Sequence, residues 1–224
     1  MLEAPFRMDL AHGHCVGVAI ASVLPDEALA ALLPAERAFA RGLGPARRAG
    51  WVAGRTALRG ALTHLGIDAG PLLATPRGAP MLPAGVVGSI SHKRDLAVAL
   101  VAPRSTGDPS QIGVDLEVDA PLRADITRRV LTEAELARLT TLPQADRQRS
   151  LLLLVSAKEA LYKALDPCVQ RYVGFKEVSV EPLPGGTARV ELLLSGGEGP
   201  FTASVHWRAE GAYILTSARI GPFV

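Results

Sequence analysis

Residues 151–165 read LLLLVSAKEALYKAL. At about 100° per residue, Leu152, Val155, Ser156, Glu159 and Lys163 share one helix face, and Leu154, Leu161 and Leu165 lie on the opposite one. A helix that is apolar nearly all round is a buried helix. A carboxylate buried there without a partner costs several kcal/mol or shifts its pKa, so Glu159 needs a partner. One is Lys163, as an ordinary i,i+4 ion pair. The other is a cation shared with acidic residues elsewhere. QIGVDLEV (111–118) alternates as a strand does, which puts Asp115 and Glu117 on one face about 7 Å apart. Such a pair is either solvated at a sheet edge or held together by a cation. Joined by Glu159, it forms an oxygen-only ligand set, which selects a hard ion, Mg²⁺ or Mn²⁺, over zinc.

Working outward, the helix spans about 145–165. Residues 175–218 follow as four short β-like runs broken by Pro-Gly-Gly, Gly-Gly-Glu-Gly-Pro and Glu-Gly, the pattern of an antiparallel meander. Thr132 and Glu135 form a capping box that opens a helix over 132–139. Towards the N-terminus, 15–23 and 95–102 read as strands, 25–41 and 45–65 have helical patterning, 70–88 is loop and 103–110 is linker. GVAIA (17–21), LPAERAF (33–39) and GRTALRGAL (54–62) echo GVDLE (113–117), LTEAELA (131–137) and AKEALYKAL (157–165), at offsets of 96, 98 and 103 residues. Either a strand–helix–helix unit is used twice, or two Ala- and Leu-rich helices are alike by chance. The first reading gives an α+β fold of two similar, pseudo-twofold-related α/β halves, 1–105 and 106–224, the second ending in antiparallel strands.

The differences between the halves carry chemistry. Ala19 and Ala21 correspond to Asp115 and Glu117, and Gly54-Arg55-Thr56 corresponds to Ala157-Lys158-Glu159. If the halves face each other, the cleft has an anionic and a cationic wall, which suits a metal ion plus a phosphorylated ligand. Arg48, Arg55 and Arg59 share a helix face, and a guanidinium fork suits phosphate; Arg47 reads as solvated. GSISH (88–92), at a strand entrance, offers Ser91 and His92 to phosphate oxygens, although taken alone it reads more simply as a turn with a surface His. Arg77, in the preceding loop, is either solvated or reaches a phosphate. His12, His14, His64 and His206 show no ligand-like spacing and receive no role.

Composition narrows the class. A chain of 224 residues, 48% hydrophobic with net charge +2, buries a sizeable core, and its charge points to neither nucleic-acid binding nor disorder. Two cysteines make no disulfide framework. The first apolar run, 15–24, is too short to span a bilayer and lacks signal-peptide features. A soluble, cytoplasmic protein is expected.

Together, GVDLE (113–117), SAKEALYK (156–163), RGAP (77–80), GSISH (88–92) and AGR (53–55) resemble the 4′-phosphopantetheinyl transferase superfamily. The likeness is to its larger pseudo-dimeric kind, which includes the surfactin-synthetase-activating and enterobactin-type enzymes, and it covers roughly residues 33–180. The resemblance implies an enzyme, a holo-[carrier protein] synthase. Coenzyme A, the co-substrate, gives its phosphopantetheine arm to a serine of an apo acyl or peptidyl carrier protein, and 3′,5′-ADP leaves. It further implies Mg²⁺ on Asp115, Glu117 and Glu159, with Glu159 also the general base. Lys163 then stabilises the α-phosphate and leaving group. Arg55, Arg77, Ser91 and His92 grip the coenzyme A phosphates, with Arg48 a further candidate. Two departures stand out: Val155 replaces an aromatic residue common in relatives, and Leu116 between the two carboxylates cannot be a ligand. A monomer serving secondary-metabolite or siderophore assembly is expected, without nucleic-acid or membrane partners.

Arg123, Arg128, Arg129 and Arg138 stand among Leu122, Ile126, Val130 and Leu131. The mix suits docking of an acidic, partly apolar carrier helix, or is an ordinary amphipathic segment. Two other activities use the same residues: a Mg²⁺-dependent phosphate-ester hydrolase, and a non-catalytic nucleotide- or carrier-binding module.

Overall fold

Pro34 splits the first helical stretch. It occupies the first turn of a helix, where its missing N–H is harmless, and it pushes Leu33 into extended backbone. The computed structural model, which describes residues 2–122 and 126–222, therefore shows two helices there. In chain order the elements are β1 (Phe6–Leu10), β2 (Gly13–Ala19), α1 (Asp26–Ala30), α2 (Pro34–Arg41), α3 (Pro45–His64), β3 (Val86–Lys93) and β4 (Leu96–Pro103). There follow β5 (Gln111–Val118), α4 (Thr127–Val130), α5 (Glu133–Thr141), α6 (Gln144–Val169), β6 (Val178–Leu183), β7 (Thr187–Leu192), β8 (Phe201–Glu210) and β9 (Tyr213–Pro222). The chain divides into two compact units after Asp108.

In the first unit a four-stranded antiparallel sheet has the order β1-β2-β4-β3. Helix α3 packs on it through Ala53, Ala57, Leu58, Ala61 and Leu62. The second unit has a five-stranded antiparallel sheet, β5-β9-β8-β7-β6, with α6 lying against β5 and β9. All four C-terminal runs are strands, so the meander is as expected, and the fold is α+β. The GSISH stretch lies inside β3 rather than at a strand entrance, and β1 is an additional edge strand.

Each unit is pinned by one buried glutamate. Glu36, fully buried, accepts from the amides of Leu33 (2.9 Å) and Leu72 (2.7 Å) and from Arg59 Nη2 (2.7 Å). Glu135 is equally buried. It accepts from the amides of Thr132 and Val180 and from Lys158 Nζ, each at 2.7 Å. Both glutamates are the third residue of a short helix. Lys158 also donates to the carbonyls of Val130 (2.9 Å) and Phe175 (2.8 Å), so all three ammonium protons are used. Burial pulls this amine below the ordinary lysine range, and Glu135 opposes that shift. The most deeply buried charge of α6 is thus Lys158, at 2% exposure, while Glu159 is half-buried.

Strand β5 meets α6 at very short range. A Cβ on Gly113 would lie 1.9 Å from the Ala160 carbonyl oxygen and 2.9 Å from the Ala164 nitrogen. Only glycine allows this approach. No helix of the described residues is long and apolar enough to cross a membrane.

Two stability measurements follow. Gly113→Ala should lower stability in urea unfolding by about 3 kcal/mol, the upper end of overpacking effects. Glu135→Gln should cost about 3 kcal/mol by leaving the Lys158 ammonium buried without its counter-charge.

Candidate active site

The glycine contact fixes which residues of β5 face α6. Residues 113, 115 and 117 of β5 alternate onto the face that carries Gly113 against α6. Asp115 and Glu117 are both buried there. Asp115 Oδ1 accepts from Lys163 Nζ at 2.8 Å, and Oδ2 accepts from the Ser156 hydroxyl at 3.0 Å. Lys163 also donates to the Val114 carbonyl at 2.9 Å. The Lys163 side chain is 25% exposed and that of Asp115 7%, so the pair is only partly shielded from water.

Thr216 is the cross-strand partner of Asp115 on β9, and its hydroxyl lies 3.0 Å from that of Ser156. Ser156 has one proton; donating it to Asp115 leaves its oxygen to accept from Thr216. Ser156 and Thr216 are fully buried. This Thr216–Ser156–Asp115 chain orients the carboxylate. Its Thr216 end was invisible in the sequence, because the pairing links positions 115 and 216.

Glu159 sits on α6 between Ser156 and Lys163, at helical spacings of three and four that keep all three on one face. Within 151–165 it belongs with Tyr162 and Lys163 to the part of α6 that is not buried. The expectation of a carboxylate enclosed in an apolar helix is corrected: Glu159 is at the open seam. Asp115, Glu117 and Glu159 offer carboxylate oxygens alone, the donor chemistry of a hard divalent cation rather than of zinc.

In the first unit the arginines are anchored. Arg55, 6% exposed, donates from Nε to Leu72 O (2.6 Å) and from Nη2 to Leu73 O (3.3 Å), and its guanidinium stacks 4.7 Å above the Trp51 ring. Burial pulls it down to about 10, which leaves it charged at neutral pH. Its Nη1 has no hydrogen-bond acceptor among the described residues. With Glu36 on the Leu72 amide, Arg55 clamps the base of a small hairpin. That hairpin is closed by Thr75 N to Ala79 O and Met81 N to Leu73 O, and the exposed Arg77 is at its tip.

Arg48 donates from Nε to Ala40 O and from Nη2 to Arg41 O and Leu43 O, closing the end of α2. Arg48, the further phosphate candidate, is thus held at the end of α2. Arg59 is likewise held by Glu36, Ala69 O and Gly70 O. On β3, Ser91 is buried and the adjacent His92 exposed, on opposite faces of the strand. His92 lies over α3 at Gly50, where a Cβ would come within 3.1 Å of its ring.

In the 121–138 segment Val130 and Leu131 are core residues, and Leu122 and Ile126 are half-buried against the same core. Arg128 and Arg129 are exposed, Arg138 donates to Val180 O, and Arg123 lies outside the described residues.

The family model for the 4′-phosphopantetheinyl transferase N-terminal domain matches residues 35–102, and that for the 4′-phosphopantetheinyl transferase superfamily matches residues 111–218. The 4′-phosphopantetheinyl transferase Svp of Streptomyces mobaraensis is 34% identical over 77% of this chain and 70% of its own length. PptT of Mycobacterium tuberculosis, another 4′-phosphopantetheinyl transferase, is 31% identical over 90% of this chain and 98% of its own. Enterobactin synthase component D of Escherichia coli O157:H7 is 34% identical over 77% of each chain.

Arg55→Lys should release the hairpin, because an ammonium does not reproduce a fork bonded to two successive carbonyls. Hydrogen exchange at the Thr75 and Met81 amides should rise at least tenfold, with α3 unchanged.

Proposed function

The chain belongs to the 4′-phosphopantetheinyl transferase superfamily, and on that premise we propose that it moves the phosphopantetheine arm of coenzyme A to a serine of an apo carrier protein, releasing 3′,5′-ADP. The observation that carries this reading is Asp115 of GVDLE held by Ser156 and Lys163 of SAKEALYK, within the span that matches the superfamily model.

The reaction joins a serine oxygen to a phosphorus ringed by anionic oxygens and breaks the bond to the leaving ADP oxygen. It needs charge neutralisation, a base and alignment. In this reading Asp115, Glu117 and Glu159 hold Mg²⁺, which neutralises the pyrophosphate when bound. The half-exposed Glu159 takes the serine proton, an assignment supported by its place at the open seam of α6. Lys163, already beside Asp115, offers its ammonium to the α-phosphate oxygens. Asp115 is kept in one orientation by Ser156 and Thr216, so the carboxylate need not reorganise during the step.

Arg55, through Nη1, together with Arg77, Ser91 and His92, is assigned to the coenzyme A phosphates. The residues from Leu2 to Asp108 would thus serve phosphate binding, and those from Pro109 onward metal binding and catalysis. The exposed Arg128 and Arg129 offer charge to an acidic carrier surface. One chain supplies every assigned residue, so a monomer suffices, and a cytoplasmic location goes with these substrates. The carriers would be those of secondary-metabolite or siderophore assembly.

Mass spectrometry of apo carrier proteins incubated with this protein, coenzyme A and Mg²⁺ tests the proposal. A phosphopantetheine-sized gain that disappears with chelator is expected. Coenzyme A breakdown without a carrier would indicate a hydrolase instead. Glu159→Gln should lower the transfer rate by about 10²–10⁴-fold, the range for a lost general base, while folding is retained. Wild-type-like transfer by this variant would remove Glu159 from the mechanism.

A further inference from the structure

Three residues without a sequence signal meet on the opposite side of the first unit's sheet order from β3. Asp9 on β1 and His14 on β2 are register partners, and His14 Nδ1 lies 2.8 Å from Asp9 Oδ1. His64, the last residue of α3, stacks its ring on that of His14, with centroids 3.5 Å apart and planes 7° from parallel. One donor atom of each residue lies within 4.8 Å of the other two. The His14 side chain is 7% exposed, whereas Asp9 is 83% exposed and His64 is also on the surface. The other His14 nitrogen, Nε2, is buried and has no hydrogen-bond partner. Asp9 and His64 are thus the groups that fix this ring.

From these contacts we propose that Asp9, His14 and His64 form a binding site for a borderline divalent transition-metal ion, Zn²⁺ foremost. The donor set is one carboxylate oxygen and two imidazole nitrogens, with a fourth position for water, as in open zinc sites. Imidazole donors disfavour Mg²⁺ and Ca²⁺. Ligand atoms around a tetrahedral ion with bonds of about 2.0 Å are roughly 3.3 Å apart. The Asp9–His14 pair at 2.8 Å is within about half an ångström of that edge, with a proton where the ion would sit.

Two stacked rings do not aim their in-plane lone pairs at a common point. His64 must therefore swing out of the stack, which its exposed place at a helix end permits, while His14 stays fixed in the sheet. Bound metal would tie the β1–β2 hairpin to the end of α3. The site is separate from His92, which packs at Gly50 near the other end of α3, roughly 20 Å away at 1.5 Å per residue.

Co²⁺ titration of the chelator-treated full chain in saturating Mg²⁺ tests this, because low-coordinate Co²⁺ with imidazole ligands absorbs visibly. One Co²⁺ per chain, displaced by Zn²⁺, is expected in the wild type. His64→Gln and Asp9→Asn, both exposed and compatible with folding, should each weaken binding at least tenfold. Zn²⁺ should raise the melting temperature of the wild type and not of His64→Gln, whose transfer activity in Mg²⁺ stays unchanged. Absence of visible absorption in the wild type would overturn the proposal. So would equal affinity in both variants, or absorption that survives His64→Gln and is lost in Glu117→Gln.

Discussion

Each unit encloses one glutamate almost completely, and that exclusion of water makes everything around it obligatory. A charged glutamate in a low-dielectric interior is tolerated only when its lone pairs are met by donors. Glu36 and Glu135 recruit theirs in the same way: the amide of the residue just before their own helix, a cation on the long helix, and an amide of the chain that returns after that helix. Three elements distant in sequence are thereby fixed to one point. Arg59 and Lys158 are the cations. The two glutamates are 99 residues apart, one more than the offset of the LPAERAF and LTEAELA match. The repeat is thus more regular in hydrogen bonding than in letters.

In the second unit this anchoring lets backbone touch backbone. With Lys158 tied to Glu135, α6 lies so close to β5 that Gly113 has no room for a side chain. The same contact brings Ser156 and Lys163 to hydrogen-bonding distance of Asp115. Packing and chemistry are consecutive steps along one strand: residue 113 sets the separation and residue 115 uses it.

What the sequence made legible was local. QIGVDLEV alternates over eight residues, and β5 has those bounds; Thr132 and Glu135 are three apart, and the capping box forms. Properties that depend on distant partners were not legible. Arg48 and Arg55 looked alike on a helical wheel, yet one caps α2 and the other holds the Leu72–Leu73 carbonyls. Glu159 looked buried because its neighbours are apolar, but the seam of α6 that carries it is open. Phe6–Leu10 gave no strand signal, since an edge strand with alternate exposed residues needs little apolar content. His14 and His64 are 50 residues apart and meet only because α3 folds back over β2.

The position of β9 has a consequence for the order in which the protein can mature on the ribosome. Strand β5 is the first element of its unit to be synthesised, but it lies at the sheet edge and its one sheet neighbour, β9, is the last. The register pairs Asp115 with Thr216 across about a hundred residues of chain. Until that distant segment emerges, the aspartate strand has an unpaired backbone on both sides, and loop-closure entropy delays its capture. The nascent second unit can build α5, α6 and the β6–β7–β8 hairpins beforehand. The Thr216–Ser156–Asp115 hydrogen-bond chain is therefore among the last features to form.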